Sequence, residues 1–206
     1  VLISILSMAV GSFAALRQEN IKRLMAYSSI GHVGFALVGL AAGTKDGVTG
    51  ILVYLGIYLV MNLGTFAVIL CMRRNDRMAE EITDLAGLAK TKPLMAAITA
   101  ILMFSMAGIP PLAGFFGKFY VFKAAVDAGL VTLAVIGLVT SVVSAYYYLR
   151  IIKVMYFDEP VEGFDRNGTE MNVIMAVATI VILAFVFFPN LLMDSAAAAA
   201  ASLFGM

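Results

Sequence analysis

A lysine lies within an apolar stretch that otherwise has the composition of a membrane helix. The stretch MAGIPPLAGFFGKFYVFK runs from Met106 to Lys123 and contains Lys118. Placing a charge at such a depth costs at least about 2.5–3.5 kcal/mol, and desolvation disfavours the charged form of an amine. An amine held there can gain and lose a proton as a neighbouring charge or water file changes. Lys118 is therefore the first candidate for proton transfer, whereas Lys123 is close enough to Asp127 and the end of the stretch to reach the interface.

The residues before Lys118 predict an interruption of the helix. Proline removes a backbone donor and clashes with the preceding turn. One continuous helix over residues 93–125 would be about 50 Å long, against a hydrocarbon layer of about 30 Å. Non-helical backbone at that depth is tolerated where it is buried in protein or lines a hydrated cavity, and its free carbonyls and amides can hold water. The residues predicted to break the helix are Gly108, Pro110, Pro111 and Gly114.

Other polar side chains lie at membrane depth. His32, the only histidine, has Ser28 and Ser29 one turn before it. A neutral imidazole can accept on one nitrogen and donate on the other, so it can relay protons; the alternative is a packing histidine bonded to a serine or a carbonyl. Two polar stripes have the spacing of one helix face. They are Tyr54, Tyr58, Asn62 and Thr65 in the third apolar run, and Ser141, Ser144 and Tyr148 in the fifth. Each stripe either lines a hydrated route or only forms hydrogen bonds between helices. The predicted proton pathway comprises Lys118, His32, Ser28, Ser29, Tyr58, Asn62, Ser144 and Tyr148.

Membrane spans must position these residues. The 206-residue chain is 62% hydrophobic and 13% charged, whereas soluble domains are about 45–50% apolar and about 25% charged. The sequence predicts an all-α polytopic membrane protein with six transmembrane helices, of which the fourth is discontinuous. The predicted spans are residues 1–16, 21–42, 48–72, 93–125, 130–149 and 171–193.

The basic residues are distributed unevenly over the connecting segments. Lys45 and Lys123 fall on one side, and Lys118 falls within a span. Since cytoplasmic loops carry the excess of Lys and Arg, the other, richer side should be cytoplasmic, with both ends of the chain on the periplasmic side. That richer side holds Arg17, Lys22, Arg23, Arg73, Arg74, Arg77, Lys90, Lys92, Arg150, Lys153 and Arg166.

The sequence gives little support to other chemistry. It contains one His, one Cys and no HExxH, CxxC or phosphate-cradling glycine loop, and no basic stripe with interleaved aromatic residues that would indicate nucleic-acid binding. Cys71 is interpreted as a packing thiol. We expect no cofactor and no metal in this chain. The first apolar run is short for a span, and no signal-peptide pattern precedes it, so we expect the chain to begin inside a longer protein.

Two segments carry a resemblance to a known family. LRQENIKRLMAYSSIGHVGFALVGL (residues 16–40) and SMAGIPPLAGFFGKFYVFKAAV (residues 105–126) resemble the antiporter-like membrane subunits of respiratory complex I, and the similarity extends from Val1 to about Asp158. The resemblance implies a fold of two inverted five-helix repeats plus further helices. Residues 1–155 would be the second repeat, and residues 156–206 an acidic loop, the final span and an alanine-rich tail, with the N-terminal half missing.

The resemblance also implies a proton-translocating subunit of an NADH:quinone oxidoreductase, in the bacterial inner membrane. Lys118 matches the lysine of the family's second broken helix, on its hydrophilic axis, and His32 lies near that axis. Other members have glutamate at the position of Lys118, or histidine or lysine in the third span. This chain has Tyr58, Asn62 and Thr65 there, which excludes a histidine relay in that span.

The redox chemistry would belong to partner subunits, which would hold NADH, FMN, iron–sulfur clusters and quinone. The expected partners are other membrane subunits, especially antiporter-like ones, and the lipid bilayer, with no nucleic acid. Two alternatives remain open at this point. One is a cation/proton secondary antiporter subunit, and the other is a structural membrane scaffold whose broken helix fits a neighbour.

Overall fold

The computed structural model describes residues 1–204, which form a helical structure with one small hairpin. The last two residues of the predicted segment 156–206 lie outside the described residues. The hairpin strands are β1 (Arg73–Arg74) and β2 (Arg77–Met78). The helices are α1 (Leu2–Ala15), α2 (Ile21–Ala42), α3 (Lys45–Leu70), α4 (Leu88–Thr91), α5 (Pro93–Ala107), α6 (Ala113–Asp127), α7 (Val131–Phe157), α8 (Thr169–Ala184) and α9 (Asn190–Leu203).

The apolar helices fall into two groups by length. Among the described residues, α2, α3 and α7 are each long and apolar enough to cross a bilayer, and α1, α5 and α8 are shorter apolar helices. Their outer faces expose large apolar side chains such as Leu59, Val142 and Ile180. A surface of this kind suits contact with lipid, since soluble proteins rarely expose large contiguous apolar patches.

Capping residues explain why α2 and α3 begin and end where they do. The Asn20 side chain accepts a hydrogen bond from the backbone of Arg23 at the start of α2, and Thr44 does the same for Gly47 in α3. Gly43 ends α2 in a left-handed conformation, with φ of 65°. The bounds of α2 are those that the sequence predicts.

The fifth and sixth predicted spans differ most from the helices of the structure. α8 ends at Ala184 and α9 begins at Asn190, so the prediction of one span over residues 171–193 is wrong. Pro189 stands before α9, and its missing N–H cannot continue the helix of α8. α7 extends eight residues beyond the predicted end at Leu149, to Phe157. Arg150 and Lys153 therefore lie on a helix rather than in a loop, because Ile151, Val154 and Met155 are buried and pack this last part of α7 into the core.

α3 lies at the centre of the packing, against α2, α5, α6, α8 and α9. α1 packs along α2 at a close approach of Gly11 to Gly31, where a β-carbon on Gly11 would overlap the Gly31 backbone. Gly39 packs similarly against Gly47. The central position of α3 brings its polar stripe towards α2 and α6.

The segments that carry most of the basic residues meet at one end of the helices. The backbone of Ile21 donates to the Glu80 carbonyl and that of Ile82 to the Glu19 carbonyl, both at 2.8 Å. The hairpin of β1 and β2, which comes just before Glu80 in the chain, is not among the elements predicted from the sequence. Its turn residues Asn75 and Asp76 have φ of 52° and 60°, which suits the tight turns that follow the twist of paired strands.

Candidate functional site

The helix break lies between Ala107, where α5 ends, and Ala113, where α6 begins. Gly108 has φ of 83°. Its N–H bonds to the carbonyl of Ser105 at 3.0 Å, and the N–H of Ile109 bonds to that of Phe104 at 3.1 Å. This arrangement ends the helix as a glycine cap does. It leaves the carbonyls of the last residues of α5 free to accept other donors.

Lys118 uses those free carbonyls. Its Nζ donates to the carbonyls of Met106 and Ala107, each at 3.0 Å, and to Ser141 Oγ on α7 at 2.8 Å. The side chain is 5% exposed. The C-terminal end of a helix carries partial negative charge, so it favours a cation. Among residues 1–204, Lys118 forms no ion pair with an acidic side chain.

At two of the predicted break residues, a side chain larger than that of glycine would be too close to its neighbours. A β-carbon on Gly108 would lie 3.0 Å from Cδ of Lys118, so this glycine lets the lysine lie along the break. Gly114 lies in the first turn of α6 rather than in the break. A β-carbon on Gly114 would overlap the carbonyl of Ser105. The backbone N–H of Gly114 donates to Ser105 Oγ at 3.1 Å.

His32 lies at the centre of a buried cluster. Its Nδ1 is hydrogen-bonded to the hydroxyl of Tyr54 at 2.6 Å, and its Nε2 to that of Tyr148 at 2.9 Å. The Tyr148 hydroxyl is also hydrogen-bonded to Ser28. The ring of Tyr58 stacks on the imidazole with centroids 4.6 Å apart. Imidazole and hydroxyl groups can each donate and accept, so the cluster can pass a proton along its hydrogen bonds.

Phe35 lies next to both the histidine cluster and the lysine. Its ring centroid is 5.0 Å from Lys118 Nζ and 6.0 Å from the imidazole centroid of His32. The ring is buried. An aromatic face attracts a cation but offers no site for a mobile proton. A proton moving between the two polar groups would therefore have to pass beside Phe35.

The other predicted pathway residues make separate contacts. Tyr58 donates to Ser29 at 2.8 Å. Ser144 bonds to Ser12 at 2.9 Å and donates to the carbonyl of Thr140, so it does not join the Tyr148 hydroxyl. Asn62 Oδ1 and Thr65 Oγ1, which are buried on α3, have no hydrogen-bond partner among the described residues.

The structure adds two polar residues to the predicted pathway set. Tyr54 contacts His32 directly and Ser141 contacts Lys118 directly, yet the sequence-based set contains neither. Both lie in the polar stripes of α3 and α7, at the spacings that place residues on one helix face. The stripes carried the necessary signal, but they do not show which member faces which neighbour.

The remaining basic residues of interest lie away from this buried site. Lys123 is exposed and pairs with Asp127 at 2.6 Å, as expected for a lysine near the end of a span. At the basic end of the helices, Lys22 and Asn20 donate to the Glu80 carboxylate at 2.7 and 2.9 Å. The hydrogen bond from Lys22 and, to a smaller extent, that from Asn20 lower the pKa of Glu80.

In the part of the chain that the structure describes, His, Cys, Asp and Glu form no group of three or more that could hold a metal.

These features define a class of protein: a polytopic helical membrane protein with a buried amine at a broken helix. The family model for "NADH:quinone oxidoreductase/Mrp antiporter, TM" matches residues 1–144. The chain belongs to this family.

Individual relatives agree with this assignment. The chain is 67% identical over 203 residues to NADH-quinone oxidoreductase subunit N of Paramagnetospirillum magneticum, a match that covers 98% of this chain and 42% of that protein. Subunit N is the family member that the combination of Lys118 with Tyr58 and Asn62 favours. The chain thus spans less than half the length of this curated relative.

Solved structures share the fold. A chain of respiratory complex I from Thermus thermophilus with bound Aureothin is 34% identical and superposes with a TM-score of 0.79, over 94% of this chain and 44% of that chain. A chain of the Mrp complex from Dietzia sp. DQ12-45-1b superposes with a TM-score of 0.89 at 23% identity, over 99% of this chain and 46% of that chain. The second match shows a common fold alone.

Proposed function

We propose that this chain is part of a proton-translocating membrane subunit of an NADH:quinone oxidoreductase. The observation that carries the proposal is the buried amine of Lys118, held by the free carbonyls of Met106 and Ala107 at the break between α5 and α6. Its acceptors are neutral, so the charge on the amine is not balanced locally. The proton occupancy of such a group responds to charges that arise outside it.

The proposed route joins Lys118 to the His32 cluster. Tyr54, His32 and Tyr148 form a hydrogen-bonded series, and water beside Phe35 connects that series to Lys118 Nζ. Asn62 and Thr65 on α3 lie towards the basic end of the helices, and their unpartnered oxygens can hold further water. In this scheme the chain moves protons and performs no redox step.

The wider assignments form part of the same proposal. Six membrane passages, with α5 and α6 together as the fourth, make up the second inverted repeat (residues 1–155) and a final span. The basic end faces the cytoplasm, and both ends of the chain face the periplasm. Partner subunits hold NADH, FMN, iron–sulfur clusters and quinone. The neighbours of this chain in the bacterial inner membrane are other membrane subunits, especially antiporter-like ones.

The test is substitution of Lys118 in the complete complex. Lys118→Met should lower NADH-driven proton translocation in proteoliposomes, because it removes the proton-binding group while retaining an unbranched side chain. Lys123→Met is the matched control, since that lysine is exposed and pairs with Asp127. Full pumping by an assembled Lys118→Met complex would reject the proposal.

A second candidate function is a cation/proton secondary antiporter subunit, which the matching family favours because its description covers Mrp antiporters as well as NADH:quinone oxidoreductases. It predicts pH changes in vesicles that depend on sodium and need neither NADH nor quinone. The scaffold alternative predicts a carboxylate partner for Lys118 and a dry site. The neutral acceptors found here favour proton exchange over that alternative.

A further inference from the structure

A groove between the starts of α5 and α8 has polar groups at one end and apolar walls below. Its volume is about 750 Å³. Lys92, Arg166, Asn167 and Asn172 line the polar end. The walls below them are formed by Leu94, Met95, Ile98, Val173, Met175 and Ala176.

The polar end is organised by hydrogen bonds. Lys92 Nζ donates to the carbonyl of Asp165 and to Asn167 Oδ1, and Asn167 donates to Asn172 Oδ1 at 3.2 Å. Lys92 is half-buried, and burial lowers its pKa, so an anion in contact would stabilise its charged form. Arg166 is exposed and lines the same groove.

The acidic residues nearby do not line the groove. The Asp165 carboxylate, whose charge partly offsets the lowering of the Lys92 pKa, is directed towards the hairpin turn, where it accepts the backbone N–H groups of Asn75 and Asp76. Glu170 is exposed in the first turn of α8 and does not line the groove. The groove therefore presents two cations and amide donors directly above apolar walls.

We propose that this groove binds one phospholipid with an anionic headgroup. The phosphate lies against Lys92 and Arg166, and an acyl chain lies between α5 and α8. The match is one of charge and polarity, because a phospholipid also has an anionic end joined to an apolar chain. Basic residues beside a membrane helix attract anionic lipids, and the exposed faces of Leu94 and Val173 give the chain a continuous apolar contact.

The experiment uses the complete protein in its complex, in nanodiscs that contain either phosphatidylglycerol or phosphatidylcholine. Native mass spectrometry counts the lipids that remain bound after transfer to mild detergent. We expect retention of one phosphatidylglycerol in preference to phosphatidylcholine. Replacing both cations, Lys92→Gln with Arg166→Gln, should weaken that retention by about fivefold for each cation removed.

Matched variants separate this site from general surface charge. Arg77→Gln with Lys90→Gln removes the same charge from exposed residues at the same end and should retain the lipid. Ala176→Phe fills the apolar part and should displace the lipid, whereas Val177→Phe on the neighbouring exposed position of α8 should not. Equal losses in both charge variants, no preference for the anionic lipid, or a groove covered by protein in the complex would each overturn the proposal.

Discussion

The ammonium group of Lys118 donates to three neutral acceptors rather than to a carboxylate. Two of them are carbonyls that a helix end would otherwise leave to water. The third, Ser141, comes from α7. Breaking the helix therefore supplies the acceptors that make a buried lysine tolerable, and the same acceptors do not fix its charge.

At the residue scale, Tyr54→Phe tests the histidine cluster. The change removes the hydroxyl bonded to His32 Nδ1 at 2.6 Å and leaves the ring in place. Because the buried Nδ1 loses its partner, the cost in stability is about 1–3 kcal/mol. We expect slower NADH-driven proton translocation with unchanged assembly. Tyr146→Phe, at a position that is 61% exposed, is the control. Equal pumping by the two variants would remove Tyr54 from the route.

A second residue-scale prediction concerns Glu80. The hydrogen bonds from Lys22 and Asn20 lower the pKa of Glu80, so these contacts stabilise the folded state above the ordinary glutamate pKa, about 4.3. That stabilisation is lost as pH falls through the lower folded value. A ¹³C NMR titration of the Glu80 carboxyl should give a midpoint below about 4.3, and Lys22→Met should raise the midpoint. A midpoint that Lys22→Met leaves in place would contradict the role of this contact.

At the element scale, the junction of α5 and α6 depends on close backbone packing. Gly108 and the prolines end α5, while Gly114 lets α6 begin against Ser105. The two half-helices together replace one helix that would be too long for the bilayer. Their fixed contact is what holds Lys118 against the carbonyls of α5.

Gly114→Ala should loosen this junction. The added methyl group would overlap the Ser105 carbonyl, and overpacking of this kind costs about 1–3 kcal/mol. We expect a lower thermal midpoint and a lower yield of assembled complex. Gly168→Ala is the matched control, because a β-carbon there has nothing within 4 Å. A Gly114→Ala protein as stable as the control would show that the junction tolerates a gap between α5 and α6.

The sequence was sufficient for some elements and not for others. Residues 21–42 carry a cap at each end, and the proline pair marks the break, so α2 and the interruption of the fourth span could be placed. The end of α8 could not, because residues 185–188 remain apolar while the helix has ended. The predicted site does not include Tyr54 and Ser141, because a stripe of polar residues does not define the rotation of its helix against its neighbours.

At the scale of the whole molecule, the loop of residues 158–168 ties the basic end together. Arg74 of the hairpin contacts both this loop and residue 84. Its Nη1 pairs with Asp84 at 2.6 Å, its Nε donates to the Glu162 carbonyl at 2.7 Å, and its guanidinium lies 5.0 Å from the Phe164 ring centroid. The loop between α7 and α8 is thereby held against the hairpin. This contact also places Arg166 near the start of α5.

Arg74→Gln should release that loop. It removes hydrogen bonds made by a charged guanidinium, and bonds to charged groups are worth about 1.5–3 kcal/mol, so the open form should rise about tenfold or more. Digestion with a protease that cleaves after glutamate should then cut faster at Glu159 and Glu162. Arg77→Gln, an exposed change in the same hairpin, is the control. Equal cleavage rates would mean that Arg74 does not hold the loop.

The most direct test of the central claim is a high-resolution electron cryomicroscopy map of the complete complex. We predict ordered water beside Phe35 that links the Tyr54 and Tyr148 hydroxyls to Lys118 Nζ, with the helix interrupted between Ala107 and Ala113. A dry, fully packed gap, with a carboxylate paired to Lys118, would contradict proton movement through this part of the protein.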